Sequence, residues 1–200
     1  MNHNGSAANN KRDISHFLLM RVARQDDDKQ VGELLLRAFE QTYRYKLPEV
    51  FTNRQRKIEL MDVESRREEG VVYVLELGYR IIGTFALMPP SCGTSQSWVA
   101  NSANLRCVAL DPDFHGYGFS EMMLEEAERI ARNWKCEAIV LHVQDGAEGV
   151  ARLYQKKGFI RDPEGDMMSY DNQILGYRLS LDQKLNVMEP EKNPMTANAS

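Results

Sequence analysis

No stretch of the 200-residue chain approaches the ~18–20 consecutive apolar residues that a membrane helix requires, and Met1 to Asp13 lacks the apolar core of a signal peptide. A membrane partner is therefore not expected, and the chain reads as cytoplasmic. Cysteines are few. Cys92, Cys107 and Cys136 are odd in number and form no closely spaced pair. That excludes a disulfide framework and a four-ligand zinc site, and it suits reduced thiols without a metal. A basic stripe is also missing: Arg66 and Arg67 are followed at once by Glu68 and Glu69, and the net charge is -4. A nucleic-acid partner is not expected on that balance. What is present is an ordinary globular mix, 42% hydrophobic and 27% charged, sized for one domain.

Residues 1–16 and 186–200 are polar, without apolar period, and read as flexible tails around a domain at 17–185. Phe17 to Val22 is a first strand. Asp26, Asp27 and Asp28 supply helix-start carboxylates, and Val31, Leu34, Leu35, Ala38 and Phe39 follow at helical spacing. Thr52 or Asn53 caps a second, more polar helix that ends at Gly70. Val71–Glu76 and Ile81–Met88 form a hairpin across a short link. A further strand lies within Trp98–Leu110, firmest from Leu105. Ser120–Trp134 carries the clearest apolar stripe, with Glu125–Arg129 and Glu128–Arg132 as outer-face pairs. Ala138–Val143 is a buried strand, Glu148–Lys157 a short helix stopped by Gly158, and Ile174–Leu181 a last strand. Helices alternating with strands, some of them paired by hairpins, predict an α/β domain. Its single central mixed sheet has about six to seven strands, with helices on both faces.

The most informative segment is Leu110-Asp111-Pro112-Asp113-Phe114-His115-Gly116-Tyr117-Gly118-Phe119-Ser120, set between a strand and the best helix. Two glycines free the backbone for a tight turn. The first N–H groups of the helix have no intrahelical partner and face a positive dipole end, which suits phosphate. His115, Gly116, Tyr117, Gly118, Phe119 and Ser120 are therefore candidate pyrophosphate-binding residues. Gly-x-Gly alone also suits a mere tight connection. A dinucleotide fingerprint would need a third glycine where Glu121 stands, and no Gly-Lys-Ser/Thr marks a nucleotide loop.

This loop resembles that of the GCN5-related N-acetyltransferase (GNAT) family, Gln/Arg-x-x-Gly-x-Gly/Ala. His115 takes the Gln/Arg place, Gly118 the central glycine and Ser120 the last small residue. A second block, Val150-Ala151-Arg152-Leu153-Tyr154-Gln155-Lys156-Lys157-Gly158-Phe159, is similar to the family's Ala-x-x-Leu-Tyr-x-x-x-Gly-Phe. The asparagine that often precedes that block falls at Ala147, with Asp145 or Gln144 as substitutes. The resemblance spans roughly Phe17 to Leu181 and implies a splayed sheet. Its fourth strand would bulge and part from the fifth, with the pantetheine arm of acetyl-coenzyme A (acetyl-CoA) along backbone groups of Val108 and Leu110.

The resemblance implies direct attack of an amine on the thioester of acetyl-CoA. The Leu110 amide would donate to the oxyanion, and Tyr154 would protonate the departing thiolate. Many family members carry a glutamate where Asn104 stands, so the base is open among Glu76, His142 and a water chain. Cys107 would resemble a nucleophile only if His142 reached it. The amine acceptor has no signature in Tyr43–Phe51, Pro89–Ser97 or Pro163–Gln173, and a homodimer is left open. A second reading is an acyl-CoA-binding sensor or scaffold without turnover, suggested by His115, Asn104 and Ala147. A third, an interaction module without a cofactor, sits badly with the glycine loop at a helix start.

Overall fold

The computed structural model describes residues 17–44, 47 and 53–181. The predicted tails and most of Tyr43–Phe51 lie outside them. In chain order the elements are β1 (Leu18–Val22), α1 (Asp28–Tyr43), α2 (Arg54–Met61), α3 (Val63–Glu69), β2 (Val71–Leu77), β3 (Arg80–Met88) and β4 (Ser102–Leu110). Then come α4 (Phe119–Asn133), β5 (Ala138–Gln144), α5 (Glu148–Lys156), β6 (Ile160–Arg161), β7 (Met167–Ser169) and β8 (Asn172–Ser180).

The sheet runs β1-β2-β3-β4-β5-β8-β6, with β7 also paired to β8, and only the β4–β5 contact is parallel. It has eight strands, one or two more than the sequence suggested. The additions are β6 and β7, two and three residues long, too short to leave a period-2 pattern. Helices cover both faces. Met123, Leu124, Ala127 and Ile130 of α4 pack with Tyr154 of α5 against one face. Val31, Leu34 and Leu35 of α1, with Leu60 and Val63, pack against the other.

Two local readings change in detail. The second predicted helix is two helices. Asn53 caps α2 through the Arg56 amide, as expected, but Asp62 takes a non-helical conformation and starts α3 through the Ser65 amide. On α4, Arg132 pairs with Glu128 as predicted, but Arg129 pairs with Glu126 one turn back. Glu125 instead reaches Lys157 beyond α5, because packing brings that lysine within 3.0 Å.

The sheet divides at β4. Ala86 lies opposite Arg106 and Thr84 opposite Ala109, so Cys107 and Val108 together face the single residue Phe85. That is a β-bulge, with Cys107 at φ 51°. β4 pairs with β5 only over Ser102–Asn104 against Ala138–Val140. Beyond Asn104, β4 continues along β3 to Leu110, while β5 continues along β8 to Gln144. A wedge opens between the two halves.

Candidate active site

Asp111 donates its amide to Ile82, so that facing pair is hydrogen-bonded. Pairs alternate in an antiparallel ladder. The next pair, Leu110 with Gly83, therefore turns its backbone groups away from β3, toward the wedge. The Leu110 side chain packs in the core and leaves only its backbone at the edge. Val108, on the bulge, lines the cavity that fills the wedge.

At the end of β4 the chain turns into the glycine loop. Asp111, buried, accepts from the Asp113 amide and pairs with Arg80 at 2.5 Å and Arg37 at 3.4 Å. This anchor was not foreseen, although an aspartate before proline at a turn is a capping signal. Gly116 and Gly118 adopt φ 81° and 85°, a region that favours glycine, and a side chain at either would meet open space. Gly118 caps α4, and its carbonyl accepts the first helical bond, from Met122. The amides of Phe119, Ser120 and Glu121 thus precede the helical ladder at the positive dipole end. The geometry fits a pyrophosphate. His115 is exposed and Ser120 partly so. Phe119 is buried and Tyr117 stacks on it at 5.7 Å, so these two aromatics brace the loop and offer a ligand backbone, not ring edges.

The second motif has a physical explanation. Gly158, at φ 98°, donates to Gln155, and Phe159 donates to Tyr154. These two bonds close α5 as a Schellman motif, whose usual apolar contact is here Tyr154 against Phe159, edge to face at 5.6 Å. The closure fixes Tyr154 so that it is buried yet lines the cavity. Burial raises its pKa well above the usual phenol range, with Tyr43 and Cys107 adding to the effect. Among the described residues its hydroxyl has no hydrogen-bond partner, so it keeps a proton to donate.

The cavity, about 700 Å³, opens on the face carrying α1, α2 and α3, across the sheet from α4. His142 lines it from β5. Its Nε2 lies 2.8 Å from the Gly165 carbonyl oxygen. A carbonyl only accepts, so Nε2 carries the proton and Nδ1 the lone pair. Burial lowers the imidazole pKa, so the ring is neutral near pH 7. Asn104 is buried, donates to the Val140 carbonyl and accepts from Arg106. Glu76 is held by Arg21 at the β1–β2 edge and does not line the cavity. Cys107 lines it but no hydrogen bond joins it to His142. Ala147 starts α5 without a side-chain cap; Asp145 accepts from the Gly146 amide, and Gln144 donates to the Gln173 carbonyl and lines the cavity. The β7–β8 hairpin roofs the cavity. Its two turn residues, Tyr170 and Asp171, both have positive φ, and the Tyr170 hydroxyl donates to Glu59 on α2. Sequence reading had no signal for Tyr170. Arg106 is the one charged residue in β4, an otherwise uncharged strand, and that contrast is its signal in the sequence.

Comparison with known proteins agrees with this geometry. The model of the acetyltransferase (GNAT) family matches residues 23–159. A curated relative, the chloroplastic GCN5-related N-acetyltransferase 4 of Arabidopsis thaliana, is 31% identical over 111 residues. That match covers 54% of this chain and 37% of the relative's length. A GNAT-family acetyltransferase of Staphylococcus aureus superposes with a TM-score of 0.64 at 16% identity, over 82% of this chain and 99% of that one. YncA of Salmonella typhimurium, solved with its cofactor acetyl-CoA, gives 0.58 at 17% identity, over 83% and 95%. No helix among the described residues is long and apolar enough to cross a membrane. With the parted sheet, the glycine-capped helix and the tyrosine fixed by its Schellman closure, these matches establish that the chain belongs to the GNAT acetyltransferase family.

Proposed function

We propose that the protein is an N-acetyltransferase using acetyl-CoA, with direct attack by a primary amine. The observation that carries this reading is the wedge between β4 and β5, whose cavity holds Tyr154 and His142 and is lined by β4 as far as Ala109, just before the glycine loop that starts α4. Bound acetyl-CoA supplies an activated acetyl thioester.

The amides at the start of α4 hold the pyrophosphate, and the loop glycines let the backbone approach it. Backbone groups of Val108 and Leu110 at the open edge of β4 pair with the amides of the pantetheine arm. The Leu110 N–H donates to the carbonyl oxygen as negative charge develops there. A lysine-like amine has a pKa of about 10.4 and must lose a proton to react. His142 takes that proton at Nδ1, directly or through water, while Gly165 fixes its tautomer. Tyr154 delivers a proton to the departing thiolate, whose thiol pKa is about 8.5. Acetyl-CoA enters from the α4 side and the amine from the α1–α2 side, so the two meet within the wedge.

Thermal unfolding with and without coenzyme A tests the first element. A ligand bound only by the native state raises Tm by mass action. Gly118→Asp places a carboxylate in the phosphate site and removes the rise. A folded Gly118→Asp protein with unchanged coenzyme A affinity would refute the site. Thiol release from acetyl-CoA across an amine panel tests turnover.

A further inference from the structure

Arg106 has no task in the reaction above. It stands on β4 immediately before the bulge, partly buried, and lines the cavity. Its Nε–H donates to Asn104 Oδ1 and one terminal nitrogen donates to the Thr94 carbonyl, 2.5 Å away. Both acceptors are neutral. Among the described residues it forms no ion pair, and the acids lining the cavity are engaged elsewhere. Glu59 holds Arg56 and Tyr170, Asp62 caps α3, and Glu69 accepts from the Thr94 hydroxyl. Arg66, the other cation there without a carboxylate, is bound to the Glu59 and Leu60 carbonyls and closes the end of α2. Arg106 closes no helix. An arginine has five N–H donors in a planar fork, and two are occupied here. Desolvation by burial weighs most against its charged form, and Cys107, Cys92 and Glu69 nearby offset this only in part, none of them in an ion pair with it. The neighbouring amide aims the guanidinium without neutralising it.

We infer that Arg106 receives the carboxylate of the acyl acceptor, so that the acceptor is an amino acid or amino-acid analogue, not a polyamine or aminoglycoside. The inference rests on the acetyltransferase reading of this site. Guanidinium and carboxylate match as a planar, bidentate pair, which an ammonium does not reproduce. Arg106 and His142 each stand two residues beyond the last β4–β5 pair, Asn104 with Val140, and both line the cavity where the strands part. A carboxylate on Arg106 therefore leaves the amine of the same small molecule beside the base. The hairpin roofing the cavity, tied to α2 through Tyr170 and Glu59, suits an acceptor of that size.

The test uses the full chain, acetyl-CoA and a thiol readout, with each common amino acid set against its α-amide and its decarboxylated amine. The best acid exceeds its amide by roughly 10- to 100-fold in kcat/KM, the range of charge-assisted hydrogen bonds. Arg106→Gln reduces that ratio by the same factor, chiefly through KM for the acid. Arg106→Lys restores part of it, having charge without the fork. Asn104→Asp, nearly isosteric, gives Arg106 an internal counter-ion and also lowers the ratio, which covers the case of an unfolded Arg106→Gln. Amides or amines used as well as acids, or a ratio indifferent to Arg106 and Asn104, would overturn the inference while leaving the acetyltransferase reading intact. If no amine turns over, Tm of the coenzyme A-loaded protein is measured with the same acids and amides. An acid-specific rise that Arg106→Gln removes supports the inference, and its absence overturns it. The coenzyme A-dependent rise reports the phosphate site separately.

Discussion

Tyr154→Phe removes one oxygen from the buried end of α5. The ring remains against Phe159, and the backbone bonds that close the helix at Gly158 involve no side chain. No described residue accepts from the lost hydroxyl, so no partner is orphaned and stability should change by less than about 1 kcal/mol. Tyr154→Ala makes the contrast. It deletes a buried ring and the apolar contact of the Schellman closure, at a cost of about 3–5 kcal/mol. Chemistry separates the two variants differently. A positioned proton donor contributes about 100- to 10,000-fold, and the lower end applies because a thiolate leaves tolerably even unprotonated. Tyr154→Phe should therefore lose roughly 100-fold in kcat with coenzyme A affinity unchanged. Burial holds the phenol protonated well beyond neutral pH, so the wild-type profile should show no limb from this group below pH ~9. The assay is thiol release at saturating acetyl-CoA, with single-turnover kinetics to establish that chemistry limits the rate. Full turnover in Tyr154→Phe under those conditions would show that the tyrosine only packs.

His142 governs the acidic side of the profile. Its folded pKa lies below the ordinary 6.5, so the base is competent at neutral pH, and kcat/KM should fall as pH drops through that lowered value. The same shift ties stability to pH. The unfolded chain binds the proton more readily, so stability is complete above the unfolded pKa and declines below it. His142→Gln keeps a donor for Gly165 but has no base; it should lose about 100-fold near pH 7 and abolish the acidic limb. A retained limb would assign the proton acceptor elsewhere. At the loop, Asp111→Ala leaves Arg80 and Arg37 without their shared carboxylate. Those arginines are about half exposed and rehydrate, so the loss in chemical denaturation is about 2 kcal/mol, short of the 3–5 expected for a fully buried pair. Coenzyme A affinity should weaken as well, because the loop loses its anchor, and an unchanged affinity would show the loop to be held by its aromatics alone.

The sequence by itself determined the fold class, the principal strands and the two motifs, because each is written in local chemistry. The α4 stripe has helical period, Gly116 and Gly118 announce backbone that other residues resist, and Gly158-Phe159, four and five residues after Tyr154, spells a helix closure. Tertiary structure decided the rest. The family resemblance implied a bulge and a parting on the fourth strand, but their place was not local: the bulge at Cys107–Val108 exists only against Phe85 of another strand. The parting of β4 from β5 depends on each finding a different neighbour. Lys157 draws Glu125 away from Arg129 because packing outweighs a surface pair worth a few tenths of a kcal/mol. Along the chain the base was open among Glu76, His142 and a water chain; Glu76 lies in an ion pair at the sheet edge and His142 on the cavity wall. Arg106 was one charge in an apolar strand until folding set it beside an amide and a carbonyl, with no ion pair among the described residues. Local periodicity and backbone preference are properties of a few consecutive residues, whereas the surroundings of a buried charge are assembled from strands and loops distant in sequence.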